Sequence, residues 1–298
     1  MITVIGSINL DLVANVEHLP RPGETVPGDG FTTSPGGKGA NQALAVKRAG
    51  GDVRLVGSVG QDAFAEEAMA CLREGLVDLT GVRESHATTG TATILVAKSG
   101  ENMIAVVPGA NGSLLPGDLK NVHLEKGQYL LLQHEIPLRI VKAALEEAKK
   151  IGAVSILNTA PYRAEASEFL HLADYVVANE TEFDGYAELR SIKAGDREAA
   201  MREMAQSTGT TIIVTLGAAG VVAAVQGAML HAEGLRIEPV DTVGAGDTFC
   251  GYLAAALDGG MKLEDALRRA AVAGSLACLK PGAQPSIPHA KDVDAALG

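Results

Sequence analysis

One stretch decides how this chain folds: Asp241-Thr242-Val243-Gly244-Ala245-Gly246-Asp247-Thr248-Phe249, which leads into an apolar segment with helical spacing. Glycines at a helix start leave several backbone N–H groups unpaired at the positive end of the helix dipole, and such groups bind phosphate. Asp247 in the first turn has two interpretations, a helix cap or a general base that takes a proton from an attacking hydroxyl. The stretch alone leaves both open.

Outward from this stretch, short apolar runs alternate with segments of helical spacing. Strands are predicted at 2–8, 53–59, 129–132, 154–157, 175–177 and 211–215, and helices at 39–48, 63–74, 138–150, 197–206, 246–257 and 263–279. Strands and helices that alternate in this way form a parallel sheet covered on both faces. The sequence therefore predicts an α/β fold.

Two regions interrupt this alternation. Residues 10–33 and 89–107 show strand-like patterns with turn residues and no helix between the strands. They predict a small antiparallel sheet that stands apart from the main body. Because small sheets at the carboxyl edge of an α/β sheet commonly close over ligands, we interpret this sheet as a lid.

Composition and charge exclude some classes of partner. The 298 residues carry a formal net charge of −11, and 47% of them are hydrophobic, as in ordinary globular proteins. No basic stripe is present to neutralise the phosphates of a nucleic acid. We therefore expect no nucleic-acid partner.

Cysteine usage and the uncharged segments indicate a cytoplasmic protein that does not enter a membrane. The three cysteines are odd in number and form no CxxC pair, which favours a reducing compartment. Asp11 interrupts the apolar start, so this segment does not have the pattern of a signal peptide. Residues 208–230 carry no charge, but their glycines and β-branched runs predict two short buried strands rather than a membrane span.

Polar groups in the first part of the chain are candidates for ligand binding. The stretch Ser34-Pro35-Gly36-Gly37-Lys38-Gly39-Ala40-Asn41-Gln42 places directional groups on Lys38 and Asn41 at a helix start. An ordinary glycine-rich turn is the alternative. Asn9 and Asp11 lie two residues apart, on one face of an extended segment, and such a pair binds vicinal sugar hydroxyls. A polar strand end or a turn is the alternative.

Asn179 and Glu182 follow the predicted strand 175–177 at a spacing that places them on one helical face. Oxygen groups so placed can order the water shell of Mg²⁺. The competing interpretation is an Asn cap with a Glu capping box. The sequence does not decide between the two.

Taken in chain order, the motifs of this sequence resemble those of the ribokinase (PfkB) family of carbohydrate kinases. The resemblance covers nearly the full chain and rests on the order of these segments: Gly6-Ser7-Ile8-Asn9-Leu10-Asp11, Pro22-Gly23-Glu24-Thr25, Gly36–Gln42, Gln133-His134-Glu135-Ile136-Pro137, Asn158-Thr159-Ala160-Pro161, Asn179–Glu182, Thr215–Gly220, Asp241–Phe249 and Gly282–Ser286.

The resemblance implies a three-layer α/β/α sandwich with a mostly parallel central sheet and a small β lid. It implies one kinase domain over residues 1–298, with a discontinuous lid at about 10–33 and 89–107, and a homodimer joined through the lids. The implied reaction is the ATP-dependent phosphorylation of D-ribose at its 5-hydroxyl. Deoxyribose, another sugar or a nucleoside remain alternative acceptors, and a non-catalytic sugar sensor is a more distant alternative.

The resemblance also implies roles for individual residues. It makes Asp247 the catalytic base, with an anion hole formed by the amides of Gly244, Ala245 and Gly246. Sugar contacts fall on Asn9, Asp11, Gly37, Lys38, Asn41, Glu135 and Asp247. ATP and Mg²⁺ are bordered by Asn179, Glu182, Thr215, Gly217, Gly220, Gly246 and Ala271. A monovalent-cation site for K⁺ falls on Asp241, Val243, Ala277, Lys280, Gly282 and Ser286. One departure is Ala271, where ribokinases often have His or Asn beside the adenine.

Overall fold

The computed structural model describes residues 1–192 and 195–298. Within these ranges, the strands are β1 Ile2–Ile5, β2 Asn9–Val16, β3 Gly28–Gly36, β4 Val53–Gly60, β5 Asp78–Ser85, β6 Gly90–Ala97, β7 Asn102–Val107, β8 Tyr129–Leu132, β9 Val154–Asn158, β10 Tyr175–Asn179, β11 Thr211–Thr215, β12 Val221–Val225 and β13 Ala228–Ala232. The α-helices are α1 Lys38–Arg48, α2 Ala63–Ala68, α3 Ala70–Glu74, α4 Leu138–Ile151, α5 Glu180–Leu189, α6 Arg197–Thr208, α7 Ala245–Asp258, α8 Leu263–Ala277 and α9 Ala290–Leu297.

The large sheet has the strand order β13-β12-β11-β10-β9-β8-β1-β4-β5. Neighbours from β11 through β5 pair in parallel, whereas β12 pairs antiparallel with both β11 and β13. The prediction of a mostly parallel sheet is confirmed. The uncharged segment 208–230 lies at one side of this sheet, with β11 and β12 joined through a short turn as expected.

Alternate strand residues supply two separate cores, one on each face of the sheet. Val4 of β1 packs in one core, while its neighbour Ile5 packs in the other. The first core includes side chains of α1, α7 and α8, and the second includes side chains of α4, α5 and α6. Because a parallel strand is buried on both faces, this arrangement is the three-layer sandwich that the sequence predicts.

One predicted helix is interrupted. The segment 63–74 forms two short helices, α2 and α3, that meet at Met69. Met69 has φ −97° and ψ −1°, at the margin of the right-handed helical region, and its N–H still bonds to the carbonyl of Ala65 at 3.2 Å. None of the helices in 1–192 and 195–298 is long and apolar enough to cross a bilayer.

The small sheet has the order β3-β2-β6-β7, and its strands come from the two segments expected for the lid. The prediction that this sheet is antiparallel is wrong for one pair, because β2 and β6 are parallel. Strands β1 and β5 run in the same direction in the large sheet, so the chain leaves both at the same edge. Strands β2 and β6 continue outward from that edge and are therefore parallel to each other.

Candidate active site

The start of α7 lies open rather than capped by a side chain. Gly244 occupies the N-cap position with φ 77°, in the left-handed region that favours glycine, and no side chain of the described residues caps the helix there. A Cβ at Gly244 would lie 2.9 Å from Cα of Ala283, so a larger residue would collide with the backbone. A Cβ at Gly246 would meet no described atom within 4 Å. The space in front of Gly246 is therefore free, as an anion hole requires, whereas the N–H of Ala245 donates to the carbonyl of Thr242 at 3.3 Å.

Asp247 does not cap its helix, so the cap interpretation is wrong. Its side chain is buried, with 6% exposed, and both carboxylate oxygens accept hydrogen bonds from α1. Asn41 Nδ2 donates to Oδ2 at 2.9 Å, and Gln42 Nε2 donates to Oδ1 at 2.9 Å. The carbonyl oxygen of the Asn41 side chain is buried and has no hydrogen-bond partner in the described part of the chain. Such an acceptor suits a ligand hydroxyl.

A second carboxylate, that of Glu135, lies at the same edge. Its Oε2 accepts from the Ser7 hydroxyl at 2.6 Å and from the backbone N–H of Lys38 at 3.0 Å. Asn9, at the start of β2, has its Oδ1 held by Asn111 Nδ2 at 2.7 Å. These contacts fix polar groups from the segment after β1, from β2, from the start of α1 and from the segment after β8.

Glycines allow the loop before α1 to approach these polar groups closely. A Cβ at Gly36 would lie 2.5 Å from Asp11 Oδ2. Gly37 has φ 89°, and its Cβ would lie 2.7 Å from the backbone nitrogen of Asn9. Both contacts are shorter than real Cβ atoms make, so the sequence needs glycine here to bring Asp11 and Asn9 beside α1.

The charges at this edge perturb one another. Burial raises the pKa of Asp11 most, the charges of Glu135 and Asp247 also raise it, and Lys38 lowers it, so that the pKa moves from 3.8 to about 6 in total. The charge of Asp247 raises the pKa of Lys38 above 10.5, with smaller contributions from Glu135 and Glu182, although burial acts in the opposite direction. Clusters of perturbed groups of this kind mark functional sites.

A cavity of about 750 Å³ opens beside Asp247. It is lined by many of the residues that the sequence predicts for catalysis and ATP binding: Lys38, Asn179, Glu182, Thr215, Gly217, Gly220, Gly244, Ala245, Gly246, Asp247 and Ala271. Asn9, Asp11, Asn41 and Glu135 do not line it, although Asn41 donates to Asp247 and the charges of Asp247 and Glu135 act on Asp11. Two adjoining regions thus share one buried carboxylate.

Asn179 and Glu182 form the capping box that was the alternative interpretation. Asn179 Oδ1 accepts from the N–H of Glu182 at 2.8 Å, and Glu182 Oε2 accepts from the N–H of Asn179 at 3.1 Å. Glu182 Oε2 also accepts from the hydroxyl of Thr159 at 3.0 Å. Glu182 still borders the cavity, and a single carboxylate there fits Mg²⁺, which keeps several waters and binds substrate phosphates. No group of three His, Cys, Asp or Glu side chains within residues 1–192 and 195–298 forms a protein-only metal cage.

The two loops predicted to hold a monovalent cation face each other. Asp241 Oδ1 accepts from the N–H of Val243 at 3.0 Å, and Oδ2 accepts from the N–H of Gly282 at 2.8 Å. The Lys280 N–H approaches the Ala277 carbonyl at 3.4 Å, and the Ser286 hydroxyl donates to the carbonyl of Ala283 at 2.9 Å. These contacts place one carboxylate between the two loops. A carboxylate combined with loop carbonyl oxygens would suit K⁺ rather than a small divalent ion.

Comparison with known proteins decides the family. The profile of the pfkB family carbohydrate kinases matches residues 1–290. The chain belongs to this family. A ribokinase of Lactococcus lactis is 36% identical over 303 residues, which cover 99% of this chain and 96% of that protein. A deoxyribokinase of Salmonella typhi is 33% identical over 291 residues, 96% of this chain and 95% of that one. The structure of Arabidopsis thaliana ribokinase complexed with ribose and ATP has a TM-score of 0.89 at 32% identity, covering 99% of this chain and 98% of the other.

Several polar residues of this pfkB family kinase escaped the sequence analysis. Gln42, Asn111, Gln133 and Asn158 are buried and bonded to predicted site residues or to one another. Residues 234–239, which have no regular structure, supply cavity-lining side chains such as Leu235 and Ile237. Gln42, Gln133 and Asn158 lie within motifs quoted above. Their signal is an amide side chain in an otherwise apolar stretch, because a buried amide needs a hydrogen-bond partner.

Proposed function

We propose that this pfkB family kinase transfers the γ-phosphoryl group of ATP to the 5-hydroxyl of D-ribose, giving ribose 5-phosphate and ADP. The observation that carries the proposal is the position of Asp247. Its buried carboxylate lines the 750 Å³ cavity together with Lys38, and it adjoins the polar group of Asn9, Asp11, Asn41 and Glu135, which do not line that cavity. A polyol on one side and a nucleotide on the other would both reach this carboxylate.

The polar groups favour a free sugar as the acceptor. Asn41 Oδ1 is a buried acceptor that lacks a partner among the described residues, and leaving it unpaired costs about 1–3 kcal/mol. Glu135 and Asp11 add carboxylate oxygens, which accept hydrogen bonds from hydroxyl groups. The related Arabidopsis protein was determined as a complex with ribose and ATP.

Asp247 acts as the general base. It takes the proton of the 5-hydroxyl while the hydroxyl oxygen attacks the γ-phosphorus in line and the bond to the ADP oxygen breaks. The backbone amides of Gly244, Ala245 and Gly246 stabilise the negative charge that develops on the transferred group. Lys38, whose pKa is raised by Asp247, stays protonated and adds a positive charge beside the same carboxylate.

Metal ions complete the proposed site. When bound near Glu182, Mg²⁺ would neutralise the β- and γ-phosphate oxygens through its water shell. K⁺ would bind between the loops of Asp241 and Gly282, outside the substrate contacts. The chain's own contribution there is the Asp241 carboxylate, which ties the two loops together in front of Gly244.

We assign residues 1–298 to one kinase domain, in which 10–33 and 89–107 close as a lid and exclude water from the phosphoryl group. We also propose that the kinase is a cytoplasmic homodimer joined through the lids. The three cysteines are free, which fits a reducing compartment. Strand β7 is an edge strand that is exposed along its whole length and carries apolar side chains. Such an edge can pair with a strand of a second copy of the chain.

The test of this function is an ADP-release assay with ATP and a panel of pentoses, hexoses and nucleosides, followed by mass spectrometry and NMR of the product. We expect the highest kcat/KM with D-ribose and phosphate on its 5-oxygen. If none of these compounds is phosphorylated in the presence of ATP, the proposal is contradicted and a sugar sensor is favoured.

Deoxyribose is the second candidate acceptor, because a deoxyribokinase is among the relatives at 33% identity. The two sugars differ by the 2-hydroxyl. A site that hydrogen-bonds this hydroxyl rejects the analogue that lacks it, since buried polar groups are then left unpaired. Higher kcat/KM with deoxyribose in the same assay would transfer the assignment to that sugar.

A further inference from the structure

A series of hydrogen-bonded, buried side-chain amides ends at the Asp247 carboxylate. Gln133, which follows β8, donates its Nε2–H to Oε1 of Gln42 in α1. Gln42 Nε2 then donates to Asp247 Oδ1 at 2.9 Å and to Asn158 Oδ1 at 3.3 Å. Both glutamines are fully buried, with 0% of each side chain exposed.

Each hydrogen bond in this series of amides has a defined donor and acceptor. If the amide of Gln42 were turned over, its oxygen would face the Asp247 carboxylate and its nitrogen would face the Gln133 nitrogen. Both contacts would be repulsive. Asn158, whose Nδ2 donates to the carbonyl of Val177 at 3.2 Å, also presents its oxygen to Gln42 Nε2, so Gln133 and Asn158 together favour the orientation that presents N–H groups to Asp247. Gly6 leaves the space for Gln133, because a Cβ at Gly6 would overlap Gln133 Oε1.

This arrangement lowers the stability of the fold. Gln133 Oε1 is buried and finds no hydrogen-bond partner in the described ranges. An unpaired buried acceptor costs about 1–3 kcal/mol, and apolar side chains of similar volume would avoid this cost. The presence of these buried amides, one of which has an unpaired acceptor, is therefore better explained by a functional requirement. At the other end of the series they orient the Asp247 carboxylate.

We infer that Gln42, whose amide is bonded to both Gln133 and Asn158, is a positioning residue that holds the Asp247 carboxylate in the rotamer required for proton removal. Asn41 fixes one oxygen of Asp247 and faces the sugar, whereas Gln42 fixes the other oxygen. The inference rests on the proposed function, in which Asp247 is the base. A carboxylate held from one side only would turn, and misplacement of a reacting group by about 1 Å can cost roughly 10²-fold in rate.

Two substitutions of similar volume separate positioning from folding. Gln42→Met keeps the volume and removes every hydrogen bond, and we expect kcat to fall by ~10–100-fold with little change in the KM for ribose. Gln42→Glu keeps the acceptor toward Gln133. Its carboxyl replaces the donor only while protonated, so we expect an alkaline loss of activity that wild type and Gln42→Met lack.

The pH readout is taken as a difference from wild type because other charged groups surround Asp247. These are Lys38 on α1, Glu135 after β8, Asp11 on β2, Glu182 on α5 and the Cys250 thiol on α7. They are common to all variants. Ser58→Ala is the matched control, since Ser58 Oγ is buried and without a partner among the described residues but belongs to no such series of amides. We expect its kcat to match wild type.

A crystal structure of Gln42→Met tests the inference without turnover, which also separates it from the proposed function. We expect the Asp247 carboxylate to rotate away from its contact with Asn41 or to become disordered. Wild-type turnover in the sugar panel tests the function itself. An unmoved Asp247 in the variant crystal, near-normal kcat for Gln42→Met, or a wild-type pH profile for Gln42→Glu would each overturn the positioning role.

Discussion

The backbone N–H of Lys38 donates to the carboxylate of Glu135 at 3.0 Å, which joins the start of α1 to the segment that follows β8. The two residues are 97 positions apart in the sequence. This bond, with that from the Ser7 hydroxyl, occupies Oε2 of Glu135. The carboxylate is thereby fixed in place in the ligand-free protein, so the sugar contact proposed for it would not require reordering of the side chain.

Loss of the Glu135 carboxylate should weaken sugar binding much more than ATP binding. We expect Glu135→Ala and Asn41→Ala each to cost about 1.5–3 kcal/mol of ribose affinity, the usual scale for a hydrogen bond to a charged group. Calorimetric titration of each variant with ribose and with an ATP analogue measures both affinities. Equal losses for the two ligands would remove these residues from the sugar site.

Asp247→Asn tests the base. The amide keeps the size of the side chain but accepts no proton, so we expect kcat to fall by at least ~10²-fold while ribose binding persists. Turnover and the ribose-induced shift in Tm are measured on the same protein. Near-normal turnover of this variant would show that another group removes the proton.

How far the sequence predicted the fold depended on the environment of each segment. The strands at 129–132 and 211–215 have the predicted bounds, because continuous apolar runs in a sheet buried on both faces give an unambiguous signal. Strand β5 was missed because it is an edge strand with the polar sequence Asp78-Leu79-Thr80-Gly81-Val82-Arg83-Glu84-Ser85 and is only partly buried. Its pairing with β4 comes from the tertiary structure rather than from its own pattern.

The site was predictable where a motif is local. The glycines and Asp247 of the α7 start occupy one short stretch, so their proximity follows from their spacing. The series of amides was not predictable in this way, since Gln42 and Gln133 are 91 residues apart and meet only because α1 lies beside the end of β8. Likewise, Asn111 reaches Asn9 from a separate short helix, Gly109–Ser113.

Ribose affinity should fall as the pH is lowered through about 6. Asp11 has its pKa raised to about 6 by burial and by the neighbouring carboxylates, so it takes up a proton there and loses the charge that strengthens its hydrogen bonds to hydroxyls. Isothermal titration between pH 5 and 8 measures this. Asp11→Asn should bind ribose weakly with little pH dependence near 6, and an unchanged pH dependence in that variant would assign the titration to another group.

The same pKa predicts an opposite effect on stability. The folded-state pKa of about 6 lies above the ordinary value of 3.8, so ionised Asp11 destabilises the ligand-free fold above pH 6, and the penalty disappears as the pH falls toward 3.8. We therefore expect Asp11→Asn to raise the Tm at pH 8 and to match wild type near pH 4. A constant difference in Tm across this range would contradict the assignment.

Assembly through the lids should depend on the exposed face of β7. Ile104 and Val106 are each 54% exposed, and we expect a dimer of about twice the 30.6 kDa chain mass in light scattering. Ile104→Lys with Val106→Lys should give monomers, since charges on an edge strand oppose pairing. Leu189→Lys, at a 51% exposed position on α5, is the control and should remain dimeric. A monomeric wild type at micromolar concentration would refute the lid dimer.

K⁺ should activate the kinase without contacting its substrates. The Asp241 carboxylate joins Val243 to Gly282 directly in front of Gly244, the residue that begins the anion hole. A cation held by these loops would fix the amides of the hole toward the phosphate, so we expect kcat to rise while the KM for ribose changes little. Initial rates are measured against KCl, with NaCl holding the ionic strength constant because salt alone screens the acidic surface. Asp241→Asn should lose most of the activation, since its side chain carries no charge for the cation. If protein freed of K⁺ shows a flat response at fixed ionic strength, these loops are ordinary turns and the cation site does not exist.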